Sequence, residues 1–562
     1  MARNILQSSL LNACFSIVFQ IFCRIVTFGI NAFIVRNVGR EVLGIMNVRL
    51  LLLESTLLFL SREAINRAAL SATSQQKEKC TWPQLVNQMW LTVPICVLLC
   101  IPCLYIWTEQ LSAVEEHFSA QYRFGCYAVA LSCVIELCAE STVFVSQVFC
   151  FVKLKIVLNT LHIFVRSIVF LWIVLDDGSV AIYAFAIAQL ASAVTIIIGH
   201  YGFYYYYIKR FNNLKNMEIK IKNTQTTQIK RSQLDIMLFA NMEDFPFKKI
   251  TEFLPGVMKS KDKFLNSELQ VLTLSFVKQG VLKQILTEGE KYVMSMSPVL
   301  SFSEQATYDV VNNLGSLAAR FIFRPIEESS YFYFTQSISR DIKLHKQDKH
   351  KIFQVGQVLN NLSLAVTSIG LLALTFGQSY SRTVLLIYGG ADFVKGGLPE
   401  NLLQWHCLAI WFLAVNGITE GYMFATNTSK DIDKYNYLMA IFSISFLVLS
   451  YILTTIFGPV GFIFANCINM LSRISYSTHF IWKQYKPLNI NPLKGLMPGK
   501  FFALSLILAG LLCKYSLNNA QSMLLHVTFG FFGVLFCLAV WCLENRELVK
   551  LGWKYGRRIK IE

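Results

Sequence analysis

Residues 180–208 read VAIYAFAIAQLASAVTIIIGHYGFYYYYI, 29 consecutive residues without an Asp, Glu, Lys or Arg. A bilayer's hydrocarbon core is about 30 Å thick and takes about 20 helical residues to cross, so this stretch is long enough to span it. The sequence on either side gives it a direction. Asp176-Asp177 precede it, and a basic, Asn/Gln/Thr-rich run from Lys209 to Arg231 follows. Lys and Arg gather on the cytoplasmic side of membrane spans, which puts the C-terminal end of this segment there. The tyrosines Tyr204 to Tyr207 then fall at the level of the lipid headgroups, as an aromatic belt rather than a stacking platform for nucleic acid.

The same reading extends over the whole chain. Of its 562 residues 54% are apolar and only 15% charged, with a mean hydropathy of +0.47. A soluble protein of this length would carry about 25% charge. Apolar segments lie near 12–36, 42–61, 85–107, 122–146, 154–175, 180–208, 267–286, 305–324, 353–376, 402–425, 436–457, 459–482, 501–517 and 522–543. These predict an all-α polytopic membrane protein of about 14 transmembrane helices. The seventh segment is diluted by Lys278, Gln279, Lys283 and Gln284. After Arg3 the first apolar stretch runs far past a signal core with no small-residue cleavage site, so it is expected to remain as the first span. Most of the 15 cysteines sit inside apolar runs, as small core residues rather than disulfide partners or metal ligands.

The net charge of +17 is explained by the loops. One alternating set, comprising the N-terminus, 62–84, 147–155, 209–263, 325–351, 426–435, 484–500 and the C-terminal tail, holds about 35 of the 51 Lys and Arg. That set is expected to be cytoplasmic, with both termini on that side. The sequons Asn361-Leu362-Ser363 and Asn427-Thr428-Ser429 then fall in a span or on the cytoplasmic side, and neither is expected to be glycosylated. The hydrophilic stretch 209–265 separates six spans from eight. Its amphipathic piece Phe245-Pro246-Phe247-Lys248-Lys249-Ile250 reads as resting on anionic lipid, with partner docking as the alternative.

The halves echo one another. Asn47, Phe59 and Arg62 of the second span match Asp309, Phe321 and Arg324 of the eighth at one offset of 262, since 309 − 47 = 324 − 62 = 262. This predicts an N-terminal six-helix bundle (1–208), a basic linker (209–265), a C-terminal six-helix bundle (266–485), and two extra helices with a tail (486–562). Parallel repeats of this kind build transporters.

Charges inside spans cost about 2.5–3.5 kcal/mol each by insertion scales, so each needs a partner or a watery cavity. In the eighth span Asp309, Asn312/Asn313, Ser316 and Arg320 recur at i, i+3/i+4, i+7 and i+11, one polar face. Asn466, Asn469 and Arg473 line the twelfth, Asn416 and Glu420 the tenth, and Gln20, Arg24 and Asn31 the first. Arg62, Glu63 and Arg67 end the second span, and Glu136 and Glu140 share a face of the fourth. For Arg67, Arg123, Arg166, Glu136 and Glu140 the structural reading, a buried ion pair or a snorkelling side chain, is preferred. The stripes of the eighth and twelfth spans instead describe a central hydrophilic cavity rich in Arg and Asn. A guanidinium fork fits phosphate bidentately and Asn amides suit sugar hydroxyls, which points to an anionic, phosphate-linked sugar as ligand.

No G-x-x-x-x-G-K-[ST] string occurs, so ATP-driven transport by this chain is not expected. H-E-x-x-H, G-x-S-x-G and Cys/His ligand clusters are missing too, so neither catalysis, a metal nor a cofactor is expected.

Several strings are similar to the eukaryotic RFT family: Phe59-Leu60-Ser61-Arg62-Glu63-Ala64 with Arg67-Ala68, Leu286-Thr287-Glu288-Gly289-Glu290-Lys291-Tyr292, and Val311-Asn312-Asn313-Leu314-Gly315-Ser316-Leu317 through Arg320 to Pro325-Ile326-Glu327-Glu328-Ser329. Tyr388-Gly389-Gly390 and Asn416-Gly417-Ile418-Thr419-Glu420 complete the set. The resemblance spans about residues 8 to 485, with Lys291 where the family pattern has Arg. It implies the multidrug/oligosaccharidyl-lipid/polysaccharide (MOP, MATE-like) exporter fold, two six-helix bundles plus two helices, in the endoplasmic reticulum membrane. It also implies moving, or otherwise handling, the dolichol-diphosphate heptasaccharide (five mannose, two N-acetylglucosamine) for N-glycosylation, and it transfers Arg36, Arg62, Glu290, Arg320 and Arg473 as family positions. Arg36 and Glu290 fall at lumenal span ends, as a gate or as snorkelling groups. The tail Arg558-Ile559-Lys560-Ile561-Glu562 is similar to a dibasic retrieval signal, or is simply a positive-inside tail.

The expected function is thus a lipid-linked oligosaccharide translocator. Arg24, Arg36, Arg62, Asn313, Arg320, Asn416, Asn466 and Arg473 bind its headgroup, and Arg67, Glu290, Asp309, Glu327, Glu328 and Glu420 have structural or gating roles. Its partners are the dolichol-diphosphate oligosaccharide, membrane lipids and ER glycosyltransferases, with no nucleic acid. A non-transporting accessory protein for lipid-linked oligosaccharide assembly is the first rival. An organic-cation antiporter on the same fold is the second, disfavoured because the stripes hold more Arg than carboxylate.

Overall fold

The computed structural model describes residues 26–74, 80–111, 114–149, 151–176, 178–224, 245–258, 263–296, 300–340, 342, 344–519 and 522–550. Arg24, most of the first span, residues 225–244 of the linker and the dibasic tail lie outside them. The described residues are helices joined by short turns, with no strand among them. Residues 26–37 are helical, as is every apolar segment from the second to the fourteenth. Among the described residues nine helices are long and apolar enough to cross a membrane, or ten if the bent pair Glu116–Leu137 and Glu140–Val148 counts as one span. The number 14 is not reached on this measure. The segments expected near 267–286, 305–324 and 459–482 form helices of 30, 17 and 26 residues that are not among the nine.

The chain folds into two compact units, Met1–Val38 with Ile45–Met296 and Gly39–Gly44 with Ser297–Glu562. Helix Ser267–Met296, although it follows the linker, belongs to the first, and its polar residues show why. Lys283 pairs with Glu63 at 3.2 Å, Ser55 donates to Glu288 at 3.0 Å, and the hydroxyls of Thr56 and Tyr292 lie 2.7 Å apart. Of the groups that dilute the seventh segment, Lys283 and the buried Gln284 thus face helix Leu51–Ser74.

The amphipathic piece of the linker differs from its sequence reading. Phe245, Phe247 and Phe253 are buried in protein, not turned to lipid. Phe247 stacks on Phe253 at 4.3 Å, and Phe245 packs against Tyr207 and Phe149. The Phe253 carbonyl accepts hydrogen bonds from Trp90 Nε1 at 2.7 Å and Ser141 Oγ at 3.1 Å. Asn212 Nδ2 donates to the Lys248 carbonyl, and Asn87 Oδ1 accepts from the Gly256 amide. Burying aromatic rings among other rings gains more than spreading them at a lipid surface, and Lys248 and Lys249 remain exposed. Ser141 is the second residue of the Glu140–Val148 arm in the helix pair bent by 47°, so the linker braces that break.

In the second unit small residues allow close packing, as is usual between membrane helices. Gly370 and Gly377 of helix Lys349–Val394 press on Trp411 and Cys407 of helix Leu398–Thr426, and Gly315 presses on the ring of His406. The Lys349–Val394 helix bends at Gly390, whose φ of 79° is left-handed backbone that glycine adopts without strain. Ser301 and Glu304 form a reciprocal capping box at the start of helix Phe302–Ala318. The sequon residue Asn427 is buried and Thr428 caps the next helix, accepting from the Asp431 amide.

Candidate functional site

The first unit gathers its membrane charges around the second and fourth spans. Arg62 Nη1 lies 2.9 Å from Glu136 Oε1, with the two side chains 39% and 17% exposed. Glu140 follows Glu136 by one turn and is buried; the cations whose charge reaches it are Arg62 and Lys155. Arg166 lies 3.8 Å from Glu54 and donates to Gln189 Oε1 at 3.2 Å. Arg67 pairs with Glu63 at 2.7 Å and Arg123 with Glu109 at 3.2 Å. Ion pairs are thus made at Arg67, Arg123, Arg166 and Glu136, and the Arg123–Glu109 pair is the most exposed of them. Arg62 nevertheless keeps donors to spare: among the described residues Nε and Nη2 have no hydrogen-bond partner.

The second unit centres on Glu420, a carboxylate at one helix turn's distance from Asn416. Arg473 clamps it bidentately, Nη2 lying 2.8 and 2.6 Å from the two oxygens and Nε 3.3 Å from Oε1. Tyr435 donates to Oε1 at 2.8 Å and Asn416 Nδ2 to Oε2 at 3.0 Å. Such a saturated carboxylate repays much of the cost of burying its charge. Glu327 joins the cluster: its carboxylate rests on the backbone of Gly417, leaving no room for a Cβ there. Arg473 Nη1 has no partner among the described residues, and the side chain is 28% exposed. A guanidinium held on one edge by Glu420 can thus offer its other edge to an anionic oxygen.

The other sequence-predicted positions are placed as follows. Asn416 is buried and spends its amide on Glu420, while its Oδ1 finds no partner among the described residues. Asn313 is exposed and donates to Asp309 Oδ2 at 3.1 Å. Arg320 lies in the π-helical turn Ala319–Phe323, which adds a residue to the turn, so the 3.6-residue spacing that aligns Arg320 with Asp309 does not continue through it. Glu328 is exposed and pairs with Arg324 at 2.9 Å. Arg36 is exposed, while Glu290 and Asn466 are half-buried. Sequence reasoning passed over Arg49, Glu54 and Tyr435. Arg49, 1% exposed, and Glu54 both lie inside the second span and carried the signal used elsewhere, a charge within an apolar run. Tyr435 carried none, because only the tertiary fold brings its hydroxyl to Glu420.

Long apolar helices enclosing a few paired charges define a multi-pass α-helical membrane protein. Its fold is similar to that of a solved structure of the lipid II flippase MurJ in an inward closed conformation. The TM-score is 0.60 at 13% identity, covering 95% of this chain and 100% of that one. The chain belongs to the Rft protein family, whose profile matches residues 8–555. A Drosophila melanogaster protein named Man(5)GlcNAc(2)-PP-dolichol translocation protein RFT1 is 69% identical over 563 residues, covering 100% of both chains. A Xenopus tropicalis protein of the same name is 39% identical over 515 residues, 92% of this chain and 89% of that one.

Proposed function

We propose that this chain translocates a dolichol-diphosphate oligosaccharide of five mannose and two N-acetylglucosamine residues across the endoplasmic reticulum membrane, from the cytoplasmic to the lumenal leaflet. The observation that carries this is the full-length 69% identity to a protein named for that translocation. Arg62 and Arg473, each with donors beyond its own ion pair, are the first diphosphate contacts we assign, since charge-assisted hydrogen bonds to phosphate are strong. Arg24, Arg36 and Arg320 supply further cationic contacts, while Asn313, Asn416 and Asn466 meet sugar hydroxyls. Arg67, Glu290, Asp309, Glu327, Glu328 and Glu420 hold those groups in place. Both termini are cytoplasmic, the chain performs no chemistry of its own, and ER glycosyltransferases are its neighbours. Consumption of the glycolipid in the lumen pulls the exchange forward.

One observation favours a second reading, a non-transporting helper in lipid-linked oligosaccharide assembly: Arg62 and Arg473 are already neutralised by Glu136 and Glu420. Full-length protein in liposomes with labelled glycolipid separates the two. Movement between leaflets beyond that of empty vesicles supports translocation; binding without movement supports the helper.

A further inference from the structure

The second unit carries a groove that the proposed function does not use. It has a volume of about 670 Å³ and runs along helix Lys500–Asn519, with one wall from helix Lys349–Val394. Leu371, Leu506, Ile507 and Leu511 make its apolar length; Ile507 and Leu511 are more than half exposed, so it opens outward from the helix bundle. Along helix Lys500–Asn519 the lining runs from Ala503 to Asn518, and the part between Ala503 and Lys514 covers 11 residues, about 16 Å at 1.5 Å per residue. Half of a hydrocarbon core about 30 Å thick is about 15 Å, so the stretch up to Lys514 is long enough to carry one acyl chain.

One end of the groove is polar. Gln378 and Gln404 bind one another's backbones, Nε2 of each donating to the other's carbonyl at 3.1 and 3.0 Å, and both line the groove. Lys514 stands beside them. It follows 13 residues, Phe501 to Cys513, without a charge, and it has no hydrogen bond or ion pair to any described residue. The lining contains this one Lys and no carboxylate. An ammonium group within a span needs a counter-charge or water, and Lys514 lies five residues from the helix end at Asn519, about 8 Å, within reach of the headgroup region.

We propose that this groove is a binding site for an anionic glycerophospholipid, one acyl chain lying along Ala503–Leu511 and the phosphate held by Lys514, with the glutamine pair at the headgroup. The stretch from Ala503 to Lys514 accommodates one acyl chain, and the unopposed positive charge selects a net-negative headgroup over a zwitterionic one. The site stands apart from the Glu420–Arg473 cluster and does not depend on the glycolipid assignment.

The test uses the full-length protein, delipidated in mild detergent and titrated separately with phosphatidylinositol, phosphatidylcholine and dolichyl phosphate. Native mass spectrometry counts retained lipids, and thermal unfolding reports stabilisation. The proposal expects one retained phosphatidylinositol, bound at least about fivefold more tightly than phosphatidylcholine, with a rise in Tm of several degrees. Lys514→Gln should abolish the preference, Lys514→Arg should keep it, and Ala503→Phe should lower retention of every diacyl lipid. Equal retention of phosphatidylinositol and phosphatidylcholine overturns it, as does an unchanged preference in folded Lys514→Gln. Tighter retention of dolichyl phosphate than of phosphatidylinositol also overturns it, making the groove an isoprenoid site.

Discussion

Arg473 and Glu420 set the terms at the scale of single residues. Glu420 is buried and accepts from Arg473, Tyr435 and Asn416, so taking away the guanidinium leaves a charge with too few donors. Arg473→Ala is expected to cost about 3 kcal/mol, read as a lower midpoint in thermal unfolding of the purified protein. The double variant Arg473→Met/Glu420→Gln should recover most of that loss; if it unfolds as early as the single variant, the cost lies in packing rather than in an orphaned charge. Arg62 is the more exposed partner of its pair, but its charge also reaches the buried Glu140. Arg62→Ala should therefore lower stability by about 1–3 kcal/mol. If Arg62 binds the diphosphate, glycolipid movement should nonetheless fall about tenfold or more, the loss of a 1.4 kcal/mol contact. Movement that falls only in step with the folded fraction would assign Arg62 a structural role.

At the scale of elements, the linker segment around Phe245–Phe253 is the instructive case. Read in sequence, two Phe followed by two Lys described an amphipathic piece lying on lipid; folded, the rings close an aromatic cluster and the Phe253 carbonyl ties down Trp90 and Ser141. Phe247→Ala or Phe253→Ala should each cost about 3–5 kcal/mol, whereas Lys248→Ala/Lys249→Ala should stay within about 0.5 kcal/mol. Thermal unfolding of the three variants distinguishes a packed brace from a surface anchor, because an anchor would reverse the order and show its effect in vesicle association. Close helix contacts give a second expectation. A Cβ at Gly315 would overlap the His406 ring, so Gly315→Ala is an overpacking change expected to cost about 1–3 kcal/mol. His406→Ala in the same chain should relieve part of it.

For the whole molecule, the bias of Lys and Arg toward one set of loops predicts two cytoplasmic ends. Tags at either terminus should be digested by protease added to intact, cytoplasm-out microsomes; protection of one tag would mean an odd number of spans. Asn427→Gln should leave gel mobility unchanged, since Asn427 is buried and its neighbour Thr428 is engaged as a helix cap. An increase in mobility would place that turn in the lumen.

Composition and the distribution of charge were enough to determine a polytopic helical protein and where its helices fall, because crossing a hydrocarbon core demands long apolar runs with internally bonded backbones. Sequence also marked out Arg62, Glu136, Asn416, Glu420 and Arg473, because a charge or amide inside such a run is costly enough to stand out. It could not say what each one touches. That Arg473 clamps Glu420 through Tyr435's neighbourhood, that helix Ser267–Met296 packs with the first unit by its polar face, and that the linker phenylalanines turn into protein were decided by tertiary structure alone. The physical reason is the same in all three: a local pattern shows which face of a segment must leave water or meet a partner, while the partner comes from residues tens to hundreds of positions away.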